Sequence, residues 1–169
     1  LNLHNAVNIT NKFLEAVAAD DEWRLIDPKT KTAVKIVSAR DLWFQIIQTR
    51  VETGEPYIVN IDTCNEALPE EQKKLGLEIK QSNLCSEITL PTNEDRTAVC
   101  CLSSVNLEYY DTWSVEDNFI SDLVTMLDNV LDSFISSVSD NKGYDKAAYS
   151  AMRERSIGLG AMGFHSYLQ

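Results

Sequence analysis

Helix-period and strand-period segments take turns along this chain, and that alternation limits its fold more than any other feature. Thr10 is placed to cap a helix running to about Ala19, with Phe13, Leu14 and Val17 on one apolar face. Residues 23–37 read as a hairpin around Asp27-Pro28-Lys29-Thr30, since an Asp-Pro pair favours a turn. Ser38 followed by Asp41 resembles a capping box, and the helix it opens turns Leu42, Ile46 and Ile47 inward until Gly54 ends it. Residues 57–62 predict a buried strand and residues 66–80 a polar connection. Two extended stretches follow, 82–90 and 98–107, on either side of a polar turn. Ser114 with Asp117 is placed to cap a long helix over 115–136, whose Leu123, Leu127, Leu131 and Phe134 share a face. A helix over 146–155 then precedes Gly158, Gly160 and Gly163. The pattern predicts an α/β architecture.

Length and charge narrow the function. A chain of 169 residues suffices for one modest domain with a real core. No apolar run approaches the roughly 18 residues of a membrane span, and no basic start leads into an apolar h-region, so a cytoplasmic location is expected. The net charge of −11 argues against nonspecific binding to a nucleic-acid backbone, yet leaves room for a single nucleotide held by backbone N–H groups. Leu1 is not an initiator Met, and the last residues read as the start of a helix. A fragment of a longer protein is the expectation.

Four cysteines occur, at 64, 85, 100 and 101, with no CxxC pair, and the two histidines, His4 and His165, lie far apart in sequence. That spacing suits no structural zinc site, so no metal site is predicted. In a reducing compartment such cysteines are inert core residues or chemically active ones.

The informative stretch is Ser82-Asn83-Leu84-Cys85-Ser86-Glu87-Ile88-Thr89-Leu90-Pro91. In an extended backbone Asn83, Cys85 and Glu87 would project to one side. An amide, a thiol and a carboxylate are costly to bury unpaired and make sense around a polar substrate, although the triplet alone also fits a plain strand edge. The second element is Thr97-Ala98-Val99-Cys100-Cys101-Leu102-Ser103-Ser104-Val105-Asn106-Leu107. If it lies beside the first, only one of Cys100 and Cys101 shares the side of Cys85, and the other is a small buried hydrophobe.

These two segments together resemble the catalytic (large, alpha) subunit of class I ribonucleotide reductases. The resemblance extends to Thr53-Gly54-Glu55-Pro56-Tyr57-Ile58 with Asp62 and Asn65. It continues through Arg153-Glu154-Arg155-Ser156-Ile157-Gly158-Leu159-Gly160-Ala161-Met162-Gly163-Phe164, so that it covers about residues 5–169 in four ordered blocks. It implies that residues 1–169 form part of a ten-stranded α/β barrel, built of two five-stranded parallel halves, with an inner loop that presents a radical cysteine.

The resemblance also implies roles. Cys85 matches the cysteine whose thiyl radical removes the 3′ hydrogen of the ribose, and Glu87 the general base that takes the 3′-hydroxyl proton. Asn83 matches the amide that hydrogen-bonds the substrate and the surroundings of the glutamate, so Asn83, Cys85 and Glu87 are expected to bind substrate as well. Cys100 matches one of two reducing cysteines that end as a disulfide, its partner lying upstream of this chain. Cys101 falls where the family varies, and Cys64 is read as structural. The implied activity is reduction of ribonucleoside diphosphates to 2′-deoxyribonucleoside diphosphates. The implied partners are a small radical-generating (beta) subunit containing a metal, a thioredoxin or glutaredoxin as reductant, and a second copy of the full-length subunit. No cofactor is expected to be bound directly.

Two other readings stand beside this one. An adenosylcobalamin-dependent reductase shares the barrel and its cysteines, and a non-catalytic piece would act only when joined to its missing segments. Gly158-x-Gly160-x-x-Gly163 spells a dinucleotide-binding pattern, but it follows what reads as a helix end rather than a strand, so close backbone packing is expected instead. Asp122, Asp128 and Asp132 are read as the solvated side of the long helix, and Trp23, Trp43 and Trp113 as packing residues.

Overall fold

A computed structural model describes residues 3–169. The chain divides after Leu90 into two compact units. In chain order the first holds β1 (Ala6–Ile9), α1 (Asn11–Ala19), β2 (Glu22–Ile26), β3 (Ala33–Ser38), α2 (Ala39–Thr53), β4 (Tyr57–Asn60), α3 (Ile61–Glu66) and α4 (Glu70–Lys74). The second holds β5 (Cys101–Asn106), α5 (Tyr110–Trp113), α6 (Phe119–Val138), α7 (Asp145–Glu154), β6 (Ile157–Met162) and α8 (Phe164–Tyr167).

Local chemistry explains the first unit's elements. The Thr10 hydroxyl accepts the Phe13 N–H and opens α1, and the Ser38 hydroxyl accepts the Asp41 N–H and opens α2. Gly54, at φ 80°, closes α2 in the left-handed region that glycine enters without a Cβ clash. β2 and β3 pair antiparallel from Glu22↔Ser38, and Asp27 holds their turn by accepting the N–H groups of Lys29 and Thr30. Those bonds, the Thr30 backbone first, lower the Asp27 carboxyl below its ordinary value of 3.8.

β1 and β4 are parallel, with Ala6 opposite Tyr57 and Ile9 opposite Asn60. A parallel pair needs a long crossover, which α1, the hairpin and α2 supply. Ile9, Phe13 and Ala39 are buried where strand and helices meet, and Trp23 and Trp43 pack edge-on against the Phe13 ring. Burying Phe13 contributes about 2 kcal/mol. Leu14, expected on the same face, is exposed, because residues 13, 16 and 17 fill the buried stripe. Val59, Ile61, Leu68 and Ile79 form a second core cluster, with Cys64 packed against it.

Two readings of this unit need correction. The strand at residue 57 ends at Asn60, and Asp62 sits in the first turn of α3, where its carboxylate accepts the Asn11 N–H at 2.7 Å and so supports the start of α1. The connection over 66–80 is not polar throughout. It contains α4, and then Leu77 and Ile79 point inward while Glu78 and Lys80 point out.

The second unit repeats the plan. β5 and β6 are parallel from Cys101↔Ile157 to Asn106↔Met162, and the crossover runs through α5, α6 and α7. α6 packs on this pair, burying Leu127 and Leu131 as its spacing predicted. Its start lies four residues later than expected, at Phe119, and Ser114 closes α5 instead of capping the long helix. Trp113 stacks on Phe119 and donates its indole N–H to the Asn106 carbonyl at 3.0 Å.

Gly158 and Gly160 lie inside β6, which glycine-poor strand statistics hide from sequence. A Cβ at Gly158 would stand 2.6 Å from the Leu102 side chain and one at Gly160 3.0 Å from the Ser104 hydroxyl, both on the neighbouring strand. These two glycines therefore serve close packing, as expected, although on a strand that their residue type hides. Arg155, left-handed at φ 45°, ends α7 and reaches back to α6, donating to Asp128 at 2.6 Å and Asp132 at 2.8 Å. Those two aspartates are thus ion-paired rather than merely solvated. Arg96 and Glu154 form a well-shielded ion pair at 2.9 Å, and Ser150 donates to the second Glu154 oxygen.

Candidate functional site

Asn83 and Glu87 meet in the first unit, with Cys85 between them on the same turn, but not by strand alternation. Residues 82–90 form no ladder. A tight turn runs from Asn83 to Ser86, closed by the Ser86 N–H donating to the Asn83 carbonyl at 3.2 Å. Below it the Asn83 N–H donates to the Ile88 carbonyl at 3.2 Å, so the segment folds back on itself. Ser86 carries φ 69°, a left-handed conformation that L residues adopt at a cost and that the turn demands.

The Asn83 side chain organises this turn. Its carbonyl oxygen accepts the Ile88 N–H at 3.0 Å, and its Nδ2 donates to the Glu87 carboxylate at 2.7 Å. One short amide therefore fixes both the returning segment and the glutamate. Cys85 occupies the third position of the turn and is exposed, as are Asn83 and Glu87. The Ser86 hydroxyl is buried and has no hydrogen-bond partner. The arrangement offers a thiol on a projecting tip with a carboxylate, held by an amide, two residues away. A thiol so placed can exchange a hydrogen atom with a bound substrate, and a carboxylate can take a proton.

The stem of the turn is held by residues that pattern reading passed over. Asn65 belongs to the block that resembles the family, and Asn8 belongs to no motif. Both reach across from other elements to backbone groups of residues 79 and 80. Their signal in sequence is faint: an asparagine on a strand and another inside a short helix, each at a position that propensity disfavours.

Cys100 belongs to the second unit, immediately before β5, and is half-buried with its thiol 3.9 Å from the Cys101 carbonyl. The strand beside β5 is β6. Cys101 begins β5 on the face that continues to half-buried Ser103 and buried Val105, whereas Leu102 and Ser104 lie on the exposed face. Cys64 packs against the second core cluster of the first unit.

Among the described residues, no three or more His, Cys, Asp or Glu side chains are grouped so as to hold a metal ion, and no helix is long and apolar enough to cross a membrane.

Residues 1–169 match the family described as ribonucleotide reductase, barrel domain. A ribonucleoside-diphosphate reductase large subunit of Invertebrate iridescent virus 3 is 56% identical over 149 residues, covering 88% of this chain and 23% of the relative. The corresponding large subunit of Danio rerio is 30% identical over 185 residues, covering 95% of this chain and 23% of the relative. The solved Actinobacillus ureae class Id ribonucleotide reductase alpha subunit superposes with a TM-score of 0.81 at 36% identity, over 98% of this chain and 29% of that one. The chain thus spans under a third of the length of these relatives.

Proposed function

This chain belongs to the ribonucleotide reductase large-subunit family as part of its α/β barrel domain, and from that premise we propose that it carries the radical cysteine of a class I enzyme. The observation that supports this most is the turn over residues 83–88. It presents the Cys85 thiol at an exposed tip and ties Glu87 to Asn83 at 2.7 Å.

The chemistry follows from these groups. With Cys85 as a thiyl radical, its sulfur takes the 3′ hydrogen atom of a ribonucleoside diphosphate, which leaves a carbon radical at C3′. The transfer is reversible because the S–H and C–H bonds are comparable in strength. Glu87 accepts the 3′-hydroxyl proton as general base, and the 2′-hydroxyl, gaining a proton, leaves as water. Asn83 holds the carboxylate and the substrate hydroxyls in register. Cys100 and a second thiol outside this chain then supply two electrons and two protons and end as a disulfide. Cys85 finally returns its hydrogen atom to C3′ and regains the thiyl state. The sum is one ribonucleotide and two thiols giving one deoxyribonucleotide, one disulfide and one water. A separate metal-containing small subunit supplies the radical, and a thioredoxin or glutaredoxin re-reduces the disulfide. We place the full-length subunit, as a homodimer, in the cytoplasm.

The test uses the complete subunit with CDP and a dithiol, with and without a small radical-generating subunit. Deoxycytidine diphosphate formed only with that subunit is expected. Product that instead requires adenosylcobalamin would keep the residue roles and overturn the class, and no product under either condition would overturn the reading.

A further inference from the structure

The segment that leads into the Cys85 turn lies in the core without a strand beside it. Ile79 is 2% exposed, and its neighbours Leu77, Glu78 and Lys80 alternate inward and outward as a strand would, yet residues 75–90 join no ladder. Buried backbone N–H and C=O groups need partners, so something else must take the place of that strand.

Side-chain amides fill it. The Ile79 N–H donates to Asn65 Oδ1 at 2.8 Å, and Asn65 Nδ2 donates back to the Ile79 carbonyl at 3.1 Å. The same Nδ2 also donates to the Ile61 carbonyl at 3.0 Å, one turn earlier in α3. One donor and two carbonyl acceptors surround this amide, which fixes which of its ends is oxygen and which nitrogen. Next along the chain, Asn8 on β1 donates to the Lys80 carbonyl at 2.8 Å. Only two residues then separate Lys80 from the turn's own amide, Asn83.

We propose that Asn65 is a positioning residue for the Cys85 turn: its amide pairs both backbone groups of Ile79 as a neighbouring strand would, and so sets where the turn's stem begins. This rests on the proposed role of Cys85. The residue type follows from the geometry. Aspartate keeps the acceptor for the Ile79 N–H but loses both donated bonds and sets a carboxylate against two carbonyls. Leucine has the same size and neither function. Glutamine is a methylene too long for a contact that closes in both directions. Asn8 makes one bond to the same segment and is the lesser anchor.

The prediction concerns placement rather than substrate contact. In the complete subunit, Asn65→Asp and Asn65→Leu should lower kcat roughly 100-fold, the scale expected when a reacting group is displaced by about 1 Å. KM for CDP should change less than about threefold, since the groups proposed to touch substrate are retained. In Asn65→Leu, hydrogen exchange at the Ile79 amide should quicken by about tenfold or more while amides of the β1–β4 pair keep their protection, whereas Asn65→Asp, which keeps the acceptor, reads placement through kcat. Asn8→Ala should show the same pattern in smaller measure.

A wild-type kcat in Asn65→Leu, or unchanged Ile79 protection in that variant, would overturn the proposal. So would a fall in kcat/KM that lies wholly in KM. If Asn65→Leu loses β1–β4 protection and so unfolds the unit, Asn65→Asp and Asn8→Ala decide. Should wild-type enzyme form no deoxynucleotide, the reductase reading fails, while the exchange result still decides whether Asn65 holds the stem.

Discussion

Replacing Gly163 by alanine should open the β5–β6 unit by an amount that can be worked out from two separate terms. Gly163 sits at φ 74°, where an L side chain costs roughly 1–2 kcal/mol. Its Cβ would also stand 2.2 Å from Asn106 Oδ1 and 3.2 Å from the Glu108 nitrogen. That Oδ1 cannot simply move aside, because it accepts the Glu108 N–H at 3.1 Å and caps the short helical turn after β5. Losing such a cap costs about 1 kcal/mol. Together the terms come to about 2–3 kcal/mol, which speeds exchange of amides protected by local opening roughly 30- to 150-fold. Native-state hydrogen exchange of the β5 and β6 amides in the complete subunit reads this directly. Gly54→Ala is the control: φ is 80°, but nothing lies within 4 Å of the added Cβ, so only the conformational term of about 1–2 kcal/mol applies to its own unit. Equal penalties at the two sites would refute the steric part of the reasoning. A Gly163→Ala protein with wild-type exchange would refute all of it.

Two further outcomes follow from the ion pairs of the second unit. Asp128 is held below its ordinary carboxyl value of 3.8, first by the hydrogen bond from Arg155 and then by its charge, so the native state binds fewer protons than the unfolded chain as pH falls. That contribution is complete above the ordinary aspartate value and is lost as pH drops through the depressed one. Asp128→Asn should therefore lower stability at pH 7 and flatten its decline below about pH 4, as followed by acid titration of far-UV circular dichroism; an unchanged acid profile would contradict this. Glu154→Ala should destabilise by roughly 3 kcal/mol, since it leaves the shielded Arg96 guanidinium unpaired, whereas Arg96→Met with Glu154→Leu should recover most of the loss in thermal melts. A double variant as unstable as the single one would contradict it.

What the sequence made legible was local. Thr10, Ser38 and Gly54 are legible as helix boundaries because capping chemistry lies within four residues, and the Asp27 turn because the aspartate bonds its own neighbours. The face of α6 was legible because helical periodicity repeats over five turns. What hid was set by partners distant in sequence. Period-two reasoning puts Asn83, Cys85 and Glu87 on one face of a strand, whereas the bonds between Asn83 and Ile88 turn the chain back, join Asn83 to Glu87 and leave Cys85 at the tip. Ile79 and Asn65 meet across fourteen residues, and Arg155 reaches Asp128 across twenty-seven, with no pattern to announce either contact. β6 gives no strand signal because glycine is uncommon inside strands, and only the side chains of β5 opposite explain why a strand needs glycine there.

Cys85→Ser in the complete subunit, assayed with CDP, a dithiol and the radical-generating subunit, tests the central claim most directly. The substitution keeps the size of the side chain and its place on the turn, but replaces an S–H bond with an O–H bond too strong to exchange a hydrogen atom with ribose. Formation of deoxycytidine diphosphate should vanish while CDP binding, measured by calorimetry, stays within about threefold of wild type. Turnover retained at a substantial fraction of wild type would contradict the assignment of the radical to Cys85.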